Sequence, residues 1–247
     1  MNSFKIGLCS VTFRKKSVDE VVEIARKAGV RYIEWGGDIH VKTIEAARKV
    51  KNLCDIANIK ICSYGSYYNC IEYDENKWRE ICQIAKAMNA ESIRVWLGKK
   101  DSEITTEDEY NTLVSNSKKM CDIASEYSLI VCPECHDNTF NNNTDAILKF
   151  IGELKKANFK TYFQSRYFRL EYDLDRIERT HNYIKDVHVS YRDLKKEQRY
   201  KKKDKKYIEK LLKKLKTNEF DGIIMVEFVS QDSEANFLKD VQKLKNY

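Results

Sequence analysis

The chain has 247 residues, 42% hydrophobic and 34% charged, which suits one large α/β unit or two small ones with a full apolar core. No apolar run approaches the roughly 20 residues of a membrane span, and "MNSFKIGLCS" is too short and too polar at its flanks for a signal peptide, so a cytoplasmic protein without a membrane partner is expected. The net charge of +7 is local: residues 192–216 hold 13 Lys and Arg against four Asp and Glu, a net +9 that leaves −2 for the remainder, so the charge does not mark a nucleic-acid binder.

In chain order, short apolar runs alternate with longer amphipathic ones. "FKIGLCS" (4–10) reads as a strand. "SVDEVVEIARKAG" (17–29) reads as a helix, with Ser17 and Glu20 at capping-box spacing and Gly29 as its stop. Strands follow at 30–35 and 59–65, with helices near 42–57 and 75–89. "SIRVWLG" (92–98) precedes a long helix over 106–127, and "LIVCPE" (129–134) precedes one over 143–157. "KTYFQS" (160–165), "KDVHVS" (185–190) and "GIIMVEF" (222–228) are the last strands, with helices near 173–183, 206–217 and 232–245. Eight β-then-α units predict a single-domain (β/α)8 TIM barrel rather than an open doubly wound sheet, because the first turn offers no GxGxxG and no P-loop.

Barrel active sites lie at the C-terminal ends of the strands. Those ends are polar here: Glu34, Glu134 with His136, Gln164 with Arg166, His188, and Glu227. Strand alternation puts Ile130, Cys132, Glu134 and His136 on one face, Tyr162 with Gln164, and Met225 with Glu227. A carboxylate ending a strand as apolar as "GIIMVEF" is costly unless paired, protonated or metal-bound. Glu134, Gln164, His188 and Glu227, on four successive strands, could surround one divalent ion, and such N/O ligation suits Mn²⁺, Co²⁺, Zn²⁺ or Mg²⁺. A salt-bridged barrel mouth without metal fits the same pattern. The CxxC of "VCPECH" lacks a matching second pair for zinc and does not open a helix as redox motifs do, so the eight scattered cysteines read as reduced, mostly buried thiols.

At these residues the sequence resembles the xylose isomerase-like barrel superfamily, and within it the sugar phosphate isomerase/epimerase branch. "GVRYIEWGGDIHV", "ICSYGSYY" and "SIRVWLG" are similar to its second to fourth strands. "VCPECH", "VHVS" and "MVEF" match its fifth-strand Glu-x-His, seventh-strand His and eighth-strand Glu. The resemblance implies metal ligands at Glu134, Gln164, His188 and Glu227, with Glu134 and Glu227 as the acid/base pair for proton transfer through an ene-diolate. The family has an aspartate where this chain has Gln164, which leaves metal affinity, metal preference and activity open.

His136, Arg166, Arg192 and Trp35 are the expected substrate contacts, against orienting Glu134, surface pairing of the arginines, or core packing. Trp96 has the same two readings as Trp35, and His40 is either a site residue or a loop histidine. The substrate class implied is a sugar or sugar phosphate, and a homo-oligomer is compatible with the family. The alternatives are an inosose-type dehydratase, an abasic-site endonuclease of the type-IV class, and a non-catalytic sugar-binding barrel. Four histidines are few for the endonuclease's metal cluster, and Gln164 is what gives the binding barrel its case.

Overall fold

Alternating apolar runs and amphipathic helices can bury their faces only against one another, and here they do so around a ring of parallel strands. A computed structural model of the chain describes residues 3–165, 169–191 and 206–247. The strands are β1 (Lys5–Cys9), β2 (Tyr32–Gly36), β3 (Lys60–Asn69), β4 (Ser92–Trp96), β5 (Ile130–Pro133), β6 (Thr161–Gln164), β7 (Ile184–Val189) and β8 (Ile223–Val226). The helices that follow them are α1 (Val18–Ala28), α2 (Ile44–Ile56), α3 (Glu75–Ala87), α4 (Glu107–Glu126), α5 (Thr144–Leu154), α6 (Leu170–Thr180), α7 (Tyr207–Thr217) and α8 (Glu234–Lys245). All eight expected units are present, as a (β/α)8 barrel. None of the described helices is long and apolar enough to cross a membrane.

The strands run in the order β5-β4-β3-β2-β1-β8-β7-β6, all pairs parallel. The ring is nearly closed between β5 and β6. There the Val131 amide donates to Asn158 O at 2.8 Å and the Lys160 amide to Val131 O at 3.0 Å. The next residue of β5 facing this seam is Pro133, which has no N–H to continue the ladder. Its carbonyl instead accepts from Asn141 Nδ2 at 3.1 Å and Thr161 Oγ1 at 3.2 Å.

Local chemistry sets the element ends. Ser17 and Glu20 make the reciprocal capping box at the start of α1, Thr106 and Glu109 make another at α4, and Gly29 ends α1 in the left-handed conformation. β3 runs to residue 69, beyond the expected 65. Ser66 Oγ donates to Arg94 O at 2.8 Å, and Asn69 Nδ2 to Gly98 O at 2.9 Å, which tie the extension to β4 and the loop after it. α6 and α7 are joined by the Tyr207 hydroxyl, which donates to Asp173 while its oxygen meets Ser165 Oγ.

Two apolar cores result. The larger fills the space between sheet and helices. A smaller one, of Cys62, Cys132, Tyr162, Ile223 and Met225, plugs the barrel interior. All eight cysteines are free and buried.

Candidate active site at the barrel mouth

Above the inner plug, six strands, β2 and β4 to β8, carry polar groups near or just beyond their ends instead of apolar ones. Their centre is Arg94 on β4, about 1% exposed. Its Nε donates to Glu34 Oε1 at 2.9 Å, and its Nη1 donates to Glu134. Gly65 makes this possible, since a Cβ there would stand 2.7 Å from Arg94 Nη2. The Tyr67 ring covers the guanidinium at 4.7 Å, a cation–π contact. Glu34 also accepts from the Tyr162 hydroxyl at 2.9 Å.

His188 stands between the carboxylates. Its Nε2 lies 3.5 Å from Glu34 Oε1, while its Nδ1 lies 3.5 Å from Glu134 Oε1 and 3.6 Å from Glu227 Oε2. A carboxylate behind one ring nitrogen orients the imidazole and leaves the other nitrogen facing the open side. Ligand atoms of Glu134, His188 and Glu227 all lie within 4.8 Å of one another. Gln164, paired with His188 across β6 and β7, adds a buried Oε1 with no hydrogen-bond partner among the described residues.

These groups have different proton affinities for stated reasons. Burial pushes the Glu34 carboxyl up, but Arg94 and His188 outweigh it and hold the group well below the usual carboxylate range. Burial likewise opposes ionisation of Glu134, and Arg94 and His188 again keep it low. Glu227 pairs with no arginine among the described residues: burial and the nearby Glu134 charge push it up to about 7, against the pull of His188 and of the Arg94 charge. Burial works against a charged His188, yet Glu227 and Glu34 raise its affinity for a proton well above the ordinary imidazole value.

The donor set fits a divalent cation. Both His188 ring nitrogens and Gln164 Oε1 are buried without hydrogen-bond partners among the described residues, which is costly for polar atoms unless an electrophile meets them. With His188 neutral, three carboxylates against one guanidinium leave two negative charges to be balanced. The raised proton affinities of His188 and Glu227 work in the same direction, so uptake of an ion there would expel protons.

The expected site residues divide clearly. Glu134, Gln164, His188 and Glu227 lie together at the barrel mouth. His136 is at the rim, exposed, with Nδ1 2.8 Å from Asp137 O, and its ring meets Trp96 edge-on at 4.7 Å. It does not contact Glu134 among the described residues. Trp96 and Tyr67, 6.1 Å apart, form the aromatic wall of the mouth. Trp35 is a correction: it is fully buried in the outer core, on the face of β2 opposite Glu34, because neighbouring strand residues point to opposite sides. His40 holds its loop through Ser10 Oγ at 3.0 Å and Lys16 O at 3.2 Å. Cys132 belongs to the barrel plug, and burial pushes its thiol far up, as befits packing. Arg166 and Arg192 lie outside the described residues.

Sequence reasoning missed Arg94 and Tyr162. The signal for Arg94 was present: a lone charge inside the apolar strand "SIRVWLG", two residues from Trp96 and therefore on its face.

Comparison with known proteins agrees with this architecture. The profile described as xylose isomerase-like TIM barrel matches residues 22–247. A 3-dehydroshikimate dehydratase of Bacillus anthracis is 24% identical over 167 residues, 63% of this chain and 60% of that protein, so the match spans less than two thirds of the relative. Among solved structures, the probable 3-DHS dehydratase of Bacillus anthracis involved in petrobactin synthesis superimposes with a TM-score of 0.78 at 16% identity, over 97% of this chain and 98% of that one. The 3-keto-D-glucoside 4-epimerase of E. coli gives 0.78 at 14% over 99% and 100%, and D-psicose 3-epimerase of Clostridium cellulolyticum with D-tagatose gives 0.75 at 13% over 98% and 99%. At these identities the structural likeness concerns the fold.

Proposed function

The chain belongs to the xylose isomerase-like TIM barrel family, and from that premise we propose that it is a divalent-metal-dependent enzyme that isomerises or epimerises a sugar or sugar phosphate by moving a proton at a carbon beside a carbonyl. The observation that carries this reading is the pair Glu134 and Glu227. Before an ion is bound, their environments push the two carboxyls apart, Glu134 kept ionised by Arg94 and Glu227 raised to about 7, and a pair so separated can divide the taking and the giving of a proton.

Glu134, Gln164, His188 and Glu227 would hold the ion, which polarises a carbonyl and its neighbouring hydroxyl when bound. Arg94 keeps Glu134 ionised and fixed in direction. Glu134 and Glu227 then divide the work, one taking the proton from carbon and the other returning it to the opposite face or the adjacent carbon. Trp96, Tyr67 and His136 offer an aromatic and polar wall to a sugar ring. A cavity of about 20 Å³ beside Gln164, His188 and Glu227 has room for about one water, through which Glu227 can exchange its proton.

A second reading, loss of water, is favoured by the sequence similarity to a 3-dehydroshikimate dehydratase. It shares the first step. The carbon–hydrogen bond breaks towards a glutamate, and the hydroxyl on the next carbon then leaves, taking a proton to depart as water.

One experiment tests both. The Mn²⁺-loaded protein is incubated in D₂O with a panel of ketoses, their phosphates and 3-dehydroshikimate. Deuterium at a substrate carbon without change of formula supports isomerisation or epimerisation, and a product lighter by one water supports dehydration. In either case Glu227→Gln should lose the activity. Neither exchange nor water loss with any compound would sink the proposal.

A further inference from the structure

One group at the mouth takes no part in that chemistry. Cys9 ends β1 in register with Glu34 of β2 and faces the barrel interior beside it. Its Sγ lies 3.3 Å from Glu34 Oε1, the oxygen that also lies 3.5 Å from His188 Nε2. Ligand atoms of Cys9, Glu34 and His188 all lie within 4.8 Å of one another, and all three residues are buried. Neither ring nitrogen has a hydrogen-bond partner among the described residues, and each faces its own donor set. Across Nδ1 stand Glu134 and Glu227, which supply only oxygen. Across Nε2 stand Glu34 and Cys9, which add sulfur. Softness of the donors separates the ions each set prefers: carboxylate and amide oxygens suit Mg²⁺ and Mn²⁺, whereas a thiolate selects thiophilic ions.

We propose that Cys9, Glu34 and His188 form a second metal site, which takes a thiophilic divalent ion such as Zn²⁺ or Cd²⁺ and thereby excludes an ion from the Glu134–Glu227 side. On binding, the Cys9 S–H bond breaks, its proton passes to solvent and a sulfur–metal bond forms. Glu34 Oε1 exchanges its contact with Arg94 Nε for the ion. Exclusion follows from the shared ring. A neutral imidazole has one N–H, so a ring bound through Nε2 keeps its hydrogen on Nδ1 and offers no lone pair to the other set. Two dications on one imidazole would also repel each other strongly at this separation. The second site stands without the reaction proposed above, since it uses neither Glu134 nor Glu227.

The test is a titration of the full chain with Cd²⁺, read by the ultraviolet thiolate-to-metal charge-transfer band, beside a titration with Mn²⁺, read by electron paramagnetic resonance. The wild type should develop the band. Cys9→Ser should abolish it and weaken Cd²⁺ binding by about 10- to 100-fold, as loss of a metal contact does, while Mn²⁺ affinity stays unchanged. Glu227→Gln should weaken Mn²⁺ and leave the band intact. A Cd²⁺ complex without the band, or a band that survives Cys9→Ser, overturns the second site. If Cys9→Ser does not fold, anomalous scattering from Cd²⁺-soaked wild-type crystals decides: a peak outside bonding distance of Cys9 Sγ overturns the proposal. Absence of Mn²⁺ binding alongside a normal band would instead count against the oxygen-ligand site and leave this one standing.

Discussion

Two buried carboxylates converge on Arg94, and this one guanidinium explains much of the local electrostatics. Removing one member of a buried ionic cluster leaves uncompensated charge, which typically costs about 3–5 kcal/mol. Arg94→Met should therefore lower stability by about that amount in urea unfolding of the metal-free protein at neutral pH; a loss below about 1 kcal/mol, the scale of exposed pairs, would mean that Glu34 and Glu134 do not depend on it. Gln164 poses the complementary question. An amide oxygen offers a ligand without charge, so Gln164→Asp should tighten Mn²⁺ binding in a calorimetric titration. Unchanged affinity would remove Gln164 from the ligand set. The places of Glu134, Gln164, His188 and Glu227 at the barrel mouth were readable in the sequence because each is a polar residue ending an apolar strand. Arg94 and Tyr162 were not singled out, because their importance lies in partners on other strands, and register between strands is not written locally. Trp35 was misplaced for a simpler reason: it adjoins Glu34, and alternation alone assigns the two to opposite faces.

At the scale of the element, periodicity and punctuation were enough to find all eight βα units, with ends displaced by a few residues. The α1 stop at Gly29 and the Ser17–Glu20 box stand where the sequence puts them. α5 instead ends at Leu154, before the expected 157, because Lys155 turns left-handed at φ 51°, a conformation that no glycine announced. The capping boxes invite measurement. Ser17→Ala and Thr106→Ala each remove the side-chain oxygen that receives a first-turn amide, and each should cost about 1 kcal/mol in chemical denaturation. Because the two helices are far apart in the ring, the double variant should lose about the sum; a loss well short of it would show that the frayed ends find other partners.

Across the whole molecule, the barrel interior is a stack: an apolar plug with polar groups at both of its ends. At the lower end Asp186 of β7 is fully buried. It accepts from the Ile223 amide at 2.8 Å and lies 3.4 Å from Lys185 Nζ. Burial pushes its carboxyl up to about 6, and Lys185 and the amide restrain the rise only in part. An acid whose folded value is raised holds a proton that the unfolded chain has already released. Stability therefore falls as pH climbs from the ordinary aspartate value of 3.8 to about 6, and the full penalty is in force above that. Asp186→Asn keeps an acceptor for Ile223 without the charge. It should be more stable than the wild type at pH 7, by up to about 3 kcal/mol, and should match it near pH 4. A variant no more stable than the wild type at pH 7 would contradict this account.

The proline-interrupted join between β5 and β6 bears on how the barrel moves. Glu134 follows β5 and Gln164 ends β6, so the two residues stand on opposite banks of the place where the backbone ladder is thinnest. An ion held by both, as proposed above, would act as a clasp, fastening the ring where the main chain does not. Amides of Val131 and Phe163 should consequently exchange with deuterium more slowly once Mn²⁺ is added, with little change at the fully laddered junction of β1 and β2. Equal slowing all around the ring would mean that the ion stiffens the barrel as a whole rather than fastening its open join.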